Sequence, residues 1–473
     1  MQRPARVSPA LIGLSALIGL APAVSAQGEW TRPKYQLNPQ NEDWSGIETL
    51  PAEQRDWADR LKWMALDDAG DWRLTVGGRA RGRIEGWSNF GQTENGSPRS
   101  DDIFELLRLR AHGDLQHSSG FRAYVELKSA LAWDRQLPGG TRSIDEDQLD
   151  VHQGFLEQGF DVGQERPLTL RVGRQALAFG RQRLVSPLPW ANVLRTWDGA
   201  SARVPLGDWN VDAFWTEFVV VDDDAFNEAG DDQLFGLYGT RGLDGKVLDL
   251  YLLGTQRDGR TFNGTTGNED RYTLGARYAR PAAKGETDFE LEFAVQEGDI
   301  DSQDIHAWMV GGEFGVSFVG DGAPRLNALI EIGSGDSSAG GSVGTFDTPY
   351  PLGHAYYGIA DTLGRQNAID IGLGGTWPVG ERTTLAVTAH QFLRTNDGDA
   401  IYNAGGAPIA GTAGGGSGSS DIGQELDLVL TSRIDRHTTW QAGYSHFWTG
   451  SVLDDVGLDA DTDFVYLQLS YAF

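Results

Sequence analysis

The chain has 473 residues, 40% of them hydrophobic, a formal net charge of −28 and no cysteine. The acidity argues against a nucleic-acid partner, and without cysteine no disulfide framework supplies stability. Glycine (63), tryptophan (15) and tyrosine (13) are abundant, which suits a large closed sheet with one polar face.

In chain order, Arg3 and Arg6 precede the apolar run "PALIGLSALIGLAPA", and "VSA" follows before Gln27. A charged start, a short apolar stretch and small residues before a break make a secretory signal peptide over 1–26, cleaved after Ala26. Nothing later reaches the ~18 consecutive apolar residues of a spanning helix. A mature chain seated in a membrane must therefore cross it as a closed barrel, since lipid leaves backbone groups unsatisfied. Residues 27–71 do not read as barrel and are expected to form a periplasmic or plug-like segment. Within it, "PAEQRDWADRLKWMAL" (51–66) predicts a short helix, with Pro51 in its first turn and Trp57, Leu61 and Met64 along one side.

From 72 to 473 strand-like segments recur, predicting an all-β, antiparallel transmembrane barrel of about 18 strands. Tight turns ("HSSG", "GD", "LDG", "VGDGA", "PVGE", "DRH") alternate with longer stretches at 88–101, 134–147, 178–197, 222–232, 258–269, 335–365, 396–421 and 449–460. Short periplasmic turns and long extracellular loops give this alternation, and an even strand number leaves both termini periplasmic. The acidic tip Asp222, Asp223 and Asp224 has oxygen enough for calcium but lacks EF-hand spacing. It reads as a solvated loop, and neither a metal centre nor a cofactor is expected.

The first strand sets the register. Leu74, Val76, Gly78, Ala80 and Ile84 share one face, and Arg73, Arg79, Arg81, Arg83 and Glu85 the other. A charge facing lipid at midplane costs ~2–4 kcal/mol, so the arginine face must point inward. The next two strands add Arg108 and Arg110, then Arg122 and Lys128, making eight cations against the three acids Glu85, Asp114 and Glu126. Farther along the balance reverses: Glu290, Glu292, Glu331, Asp370, Glu425 and Asp427 face inward, with Arg325, Arg394 and Arg433 among them. The chain ends on "VYLQLSYAF", whose alternation runs through Tyr471 to Phe473. This resembles the closing strand of bacterial outer-membrane barrels, which the barrel assembly machinery reads.

Residues 170–203 carry a sharper pattern: Gly173-Arg174-Gln175, Phe179-Gly180, Arg183-Leu184-Val185, Asn192, Arg195 and Trp197-Asp198-Gly199. Together with "DRLKWMAL…GDWRLTVGGRARGRIE", they resemble the alginate export family of outer-membrane barrels. The resemblance implies a Gram-negative outer-membrane location, an 18-stranded porin-like barrel and passage of an anionic polysaccharide through an electropositive pore. Arg174, Arg195 and Asp198 match its motif positions. Arg174 shares a face with Leu170 and Val172, and a bulge at Gly173 would turn it inward. The expected solute path comprises Arg79, Arg81, Arg83, Arg108, Arg110, Arg122, Lys128, Arg171, Arg174, Arg195 and Asp198. The 178–197 loop, with Pro187, Pro189 and Trp190, would narrow the pore. Expected partners are outer-membrane lipid and lipopolysaccharide, the assembly machinery and an anionic saccharide. A general diffusion porin is the alternative. The histidines are scattered, and neither an HExxH motif nor a Cys/His cluster occurs, so no enzyme is expected.

Overall fold

The computed structural model describes residues 30–94, 100–222, 225–413 and 418–473; the signal-peptide segment 1–26, Asp223 and Asp224 lie outside the described residues. Eighteen long strands follow one another: β1 (Trp72–Ser88), β2 (Asp102–His117), β3 (Phe121–Trp133), β4 (Asp147–Phe160), β5 (Leu168–Gln175), β6 (Trp197–Leu206), β7 (Trp209–Val220), β8 (Glu228–Leu243) and β9 (Lys246–Phe262), then β10 (Thr265–Arg280), β11 (Thr287–Ile300), β12 (Gln303–Ser317), β13 (Arg325–Gly333), β14 (Ala368–Pro378), β15 (Thr383–Arg394), β16 (Asp421–Arg433), β17 (Thr438–Thr449) and β18 (Thr462–Ala472). Each pairs antiparallel with its chain neighbours, and β18 pairs with β1 from Asp463↔Ser88 to Ala472↔Arg79, closing the sheet. Pairing continues to the last residue, where Phe473 and Gly78 exchange both backbone hydrogen bonds at 3.0 Å. Closure removes the edges an open sheet would expose.

Period-two alternation separates the faces. Ile84, Leu109, Val125, Leu127, Val465 and Leu467 are exposed on the outside, while Arg81, Arg83, Arg108, Arg110, Glu290 and Glu331 are buried within.

The two ends differ. One carries short connections such as 207–208, 244–245 and 434–437 together with the start of β1 and the C-terminal Phe473, and the other carries the long loops. Two expectations need correcting here. The stretch 258–269 is no loop: β9 and β10 meet in a tight hairpin at Asn263-Gly264, both at positive φ (42° and 82°). Asn-Gly is the pair that a type I′ turn selects, so the strands run on to the turn. The stretch 51–66 is no single helix either. It forms two 3-10 turns, Ala52–Gln54 and Ala58–Leu61, and a two-residue strand, Met64–Ala65, paired with Arg73 and Leu74 of β1. Asp56 Oδ1 accepts from the backbone N–H groups of Ala58 (2.9 Å) and Asp59 (3.3 Å), a local competitor for helical bonding.

β5 and β6, and likewise β13, are short beside β1, β9 and β10. The loops that follow β5 and β13 therefore leave the wall part-way up the barrel, where they turn into the lumen.

Candidate functional site

Loops 176–196 and 334–367 enter from nearly opposite sides and meet. Val185 and Tyr350 form a parallel bridge, in which Ser186 N–H donates to Tyr350 O (2.8 Å) and Tyr350 N–H to Leu184 O (3.0 Å). Leu352 N–H adds a bond to Gln182 O (3.1 Å), and Arg195 Nη1 donates to Pro351 O (2.9 Å). The result is a crossbar through the lumen. Leu184, Val185, Phe346 and Tyr350 bury themselves on it against Tyr238, Tyr251, Leu253 and Met309 of the wall. This apolar contact fixes the loops, because ordering so much chain costs entropy that polar contacts alone offset poorly.

The arginine-rich wall holds one flank of the crossbar. Arg81 donates to Pro189 O (2.9 Å), Trp190 O (3.0 Å), Ala191 O (3.0 Å) and Asn192 Oδ1 (3.2 Å). Arg108, its cross-strand partner, donates to Ala191 O (2.8 Å) and Pro189 O (3.3 Å). Among the described residues neither guanidinium has a carboxylate within salt-bridge reach, although both are buried. Arg83 pairs with Glu85 (2.6 Å) and lies 3.8 Å from the Trp190 ring centroid, while His354 stacks on Trp190 at 3.6 Å. Asn192 Nδ2 ties the loop to Leu107 O, Leu131 O and Asp145 O at 2.9–3.2 Å.

The acidic wall holds the other flank. Arg183 reaches across to Glu331 (2.7 Å), Glu292 (3.0 Å) and Glu290, with its guanidinium 4.6 Å from the Tyr356 ring. Arg365 pairs with Glu331 (2.5 Å), and Arg181 with Glu290 (3.4 Å) and Glu313 (3.3 Å). Farther round, Asp427 and Glu425 accept from Ile359 N–H (3.1 Å) and Ala360 N–H (3.0 Å) of the second loop. The unequal charge of the two walls thus has a structural reason: one grips loop carbonyls, the other loop arginines and amides.

Below the crossbar, toward the short-turn end, the N-terminal segment enters the lumen. Glu42 pairs with Arg79 (3.2 Å), Leu37 O accepts from Arg110 (3.0 Å) and Gln40 O from Arg122 (2.7 Å). Gln40 Nε2 donates to Gln153 Oε1 of β4 (2.8 Å). Lys62 Nζ donates to Val76 O (2.9 Å) beside the rings of Trp44 and Tyr35. Burial pushes the Glu42 carboxyl up and pulls the Lys62 ammonium down to about 8.

The expected path residues therefore divide. Arg79, Arg110 and Arg122 meet the N-terminal segment, Arg122 pairing also with Asp114 (2.6 Å), whereas Arg81, Arg83 and Arg108 meet the crossbar. Lys128 pairs with Asp147 (2.6 Å), and Arg171 with Glu157 (2.5 Å) over the Phe155 ring. Arg195 lies on the crossbar itself. Arg174 and Asp198 depart from expectation. The register through Gly173 is unbroken, so no bulge turns Arg174 inward. Gln175 and Trp197 are buried inside and Val172 is exposed outside, so alternation sets Arg174 and Asp198 on the outer side, paired at 2.8 Å, with the Arg174 guanidinium also 3.4 Å from the buried Asp150. There Arg174 also donates to Asn227 O (2.8 Å), above the short strands. Asp222 belongs to no group of metal-ligating side chains among the described residues. Gly340-Gly341-Ser342-Val343-Gly344 matches GxSxG, but it lies in loop 334–367 without the strand-to-helix elbow that chemistry requires. The residues that sequence reasoning missed are Arg181, Arg365, Gln40 and Glu42. For the first, the available signal was a loop that alternates arginines with Leu184, Val185 and Trp190, too apolar for solvent.

A closed eighteen-stranded barrel with an apolar exterior, a charged interior and inward-folded loops defines an outer-membrane β-barrel channel of Gram-negative type. The family model described as alginate export matches residues 72–465, and the chain belongs to that family. No curated protein sequence matches it. Among solved structures it is similar to OccD3 (OpdP) of Pseudomonas aeruginosa (TM-score 0.55, 12% identity, 85% of this chain and 91% of that one). It is also similar to OccAB2 of Acinetobacter baumannii (0.55, 13%, 84% and 98%) and to the outer membrane protein OprD of P. aeruginosa (0.55, 12%, 85% and 93%). At these identities the likeness is one of fold. The short-turn end, where β1 starts and Phe473 lies, faces the periplasm.

Proposed function

We propose that the channel passes anionic saccharides, with the arginines of β1 and β2 as their way-stations. One observation carries this: Arg81 and Arg108 are buried side by side and, among the described residues, ligated only by carbonyl-type oxygens of residues 189–192. A carboxylate makes a stronger, charge-assisted partner than a carbonyl. A uronate reaching them would gain ~1 kcal/mol per contact in water and up to ~4 kcal/mol at an effective dielectric of 20, before desolvation. Sites of that strength hold a polymer without trapping it.

The test is planar-bilayer recording of the Arg81→Gln, Arg108→Gln double variant. Its reversal potential in a salt gradient should shift toward lower anion preference, and block by oligouronate should weaken. The crossbar favours a second reading, a pore for small solutes, because it subdivides the lumen. An unmoved reversal potential together with equal block by charged and uncharged oligosaccharides would establish that reading instead.

A further inference from the structure

We infer that the N-terminal segment 30–63 is a plug for the periplasmic mouth, and that Glu42 is its latch, occupying at Arg79 the place a solute carboxylate takes. This rests on the anionic-saccharide reading of the lumen and adds to it a closed state and the chemistry that opens it.

Three observations support it. First, the segment is a built object. Trp44, Ile47 and Ala58 are buried, and Trp30 packs so tightly on Gly46 that an added Cβ would lie 2.2 Å from its ring. Second, its contacts are with the inner wall. Glu42, Leu37 O and Gln40 O together engage the three periplasmic-side arginines Arg79, Arg110 and Arg122, which lie on three consecutive strands. Gln40 and Glu42 are themselves buried. Third, the attachment is replaceable. At residues 36–47, two of the contacts with these three arginines are to neutral carbonyls, and the other is a single carboxylate at 3.2 Å. A chain of uronates offers carboxylates to all three cations at once. Arg110 and Arg122 keep their wall partners Glu126 (2.8 Å) and Asp114 (2.6 Å), so such an exchange leaves no buried arginine unpaired; it frees residues 36–47 to swing out while Glu48–Arg73 (2.8 Å) and Asp59–Arg436 (3.1 Å) keep the rest of the segment at the wall. An uncharged saccharide offers no equivalent replacement, so the plug discriminates by charge before the crossbar is reached.

The full-length chain permits a direct test, since it has no native cysteine. Gln40→Cys and Gln153→Cys place one thiol on the plug and one on β4. A short, reducible bis-thiosulfonate linker should join them, because the native side chains already touch (2.8 Å). Linked protein in planar bilayers should conduct at least about tenfold less than the same protein after reduction, as expected when a conductive path is closed. Glu42→Gln should raise the frequency of open events by about tenfold, the loss of one charge-assisted bond. Equal conductance in linked and reduced protein, with the link verified by mass, would overturn the inference. Hydrogen exchange on the wild-type chain gives an independent readout. Amides of residues 36–47 should exchange faster with oligouronate and not with a neutral oligosaccharide of equal length. Unchanged exchange at oligouronate concentrations that block the channel would refute the latch. If the link closes the channel but charged and neutral sugars block the reduced protein equally, the plug stands and the anionic-saccharide reading falls.

Discussion

Replacing Arg183 with methionine should release the crossbar while leaving the barrel intact. The size of the effect follows from which carboxylates lose their partners. Glu290 keeps Arg277 (2.9 Å) and Arg181 (3.4 Å), and Glu331 keeps Arg365 (2.5 Å). Among the described residues Glu292 keeps only the Tyr251 hydroxyl (2.9 Å). Breaking a buried pair by removing one partner costs about 3–5 kcal/mol, and with one of three carboxylates orphaned the lower end applies, about 3 kcal/mol. That is a shift of about 150-fold in the docked-to-released ratio of the loop. Single-channel recording should show frequent large openings, and sugar-loaded liposomes should swell faster. Adding Glu292→Gln should recover roughly half the effect, since the orphaned charge is then gone. The barrel should remain folded, because Arg183 belongs to no strand and lumen substitutions tune passage more than stability. Heat-modifiable mobility checks this. An Arg183→Met channel that is folded and electrically identical to wild type would refute the view that this residue holds the crossbar.

Two further outcomes follow from the N-terminal segment and the closing strand. Lys62 has a folded value of about 8 against 10.5 in the open chain, because burial disfavours its charge. Its cost of about 3 kcal/mol is present in full below pH 8, declines between pH 8 and 10.5 and is gone above, so docking of residues 30–63 should tighten as pH rises through that window. Protease protection of the segment from pH 7 to 10 measures this, and Lys62→Met should flatten the profile. Deleting Phe473 should lower outer-membrane levels and abolish heat-modifiable mobility in part of the population, because β18 loses its final pair with Gly78. Wild-type amounts of folded protein would count against it.

The wall was legible in the sequence, and the lumen mostly was not. Alternation in β1 to β3 reports burial on one face directly, since a one-residue slip would turn Arg79, Arg81 and Arg83 toward lipid. The terminal strand was equally plain. The interior depends on contacts between residues far apart, such as Val185 with Tyr350 or Arg183 with Glu331, and periodicity holds no trace of these. For Arg174 the strand phase alone pointed outward and a bulge at Gly173 would have turned it inward; the ladder pairs without a break on both sides of Gly173. The 51–66 stretch has helical spacing, but Asp56 and the pairing of Met64–Ala65 with β1 prevailed over propensity.

The Val185–Tyr350 bridge joins two loops that rise from opposite walls. Surface loops ordinarily gain and lose residues freely. Here the combined reach of 176–196 and 334–367 is set by the width of the barrel, as the span of an arch is set by its abutments. Related chains with one of these loops shortened should therefore carry a lengthened counterpart, or else have no crossbar at all.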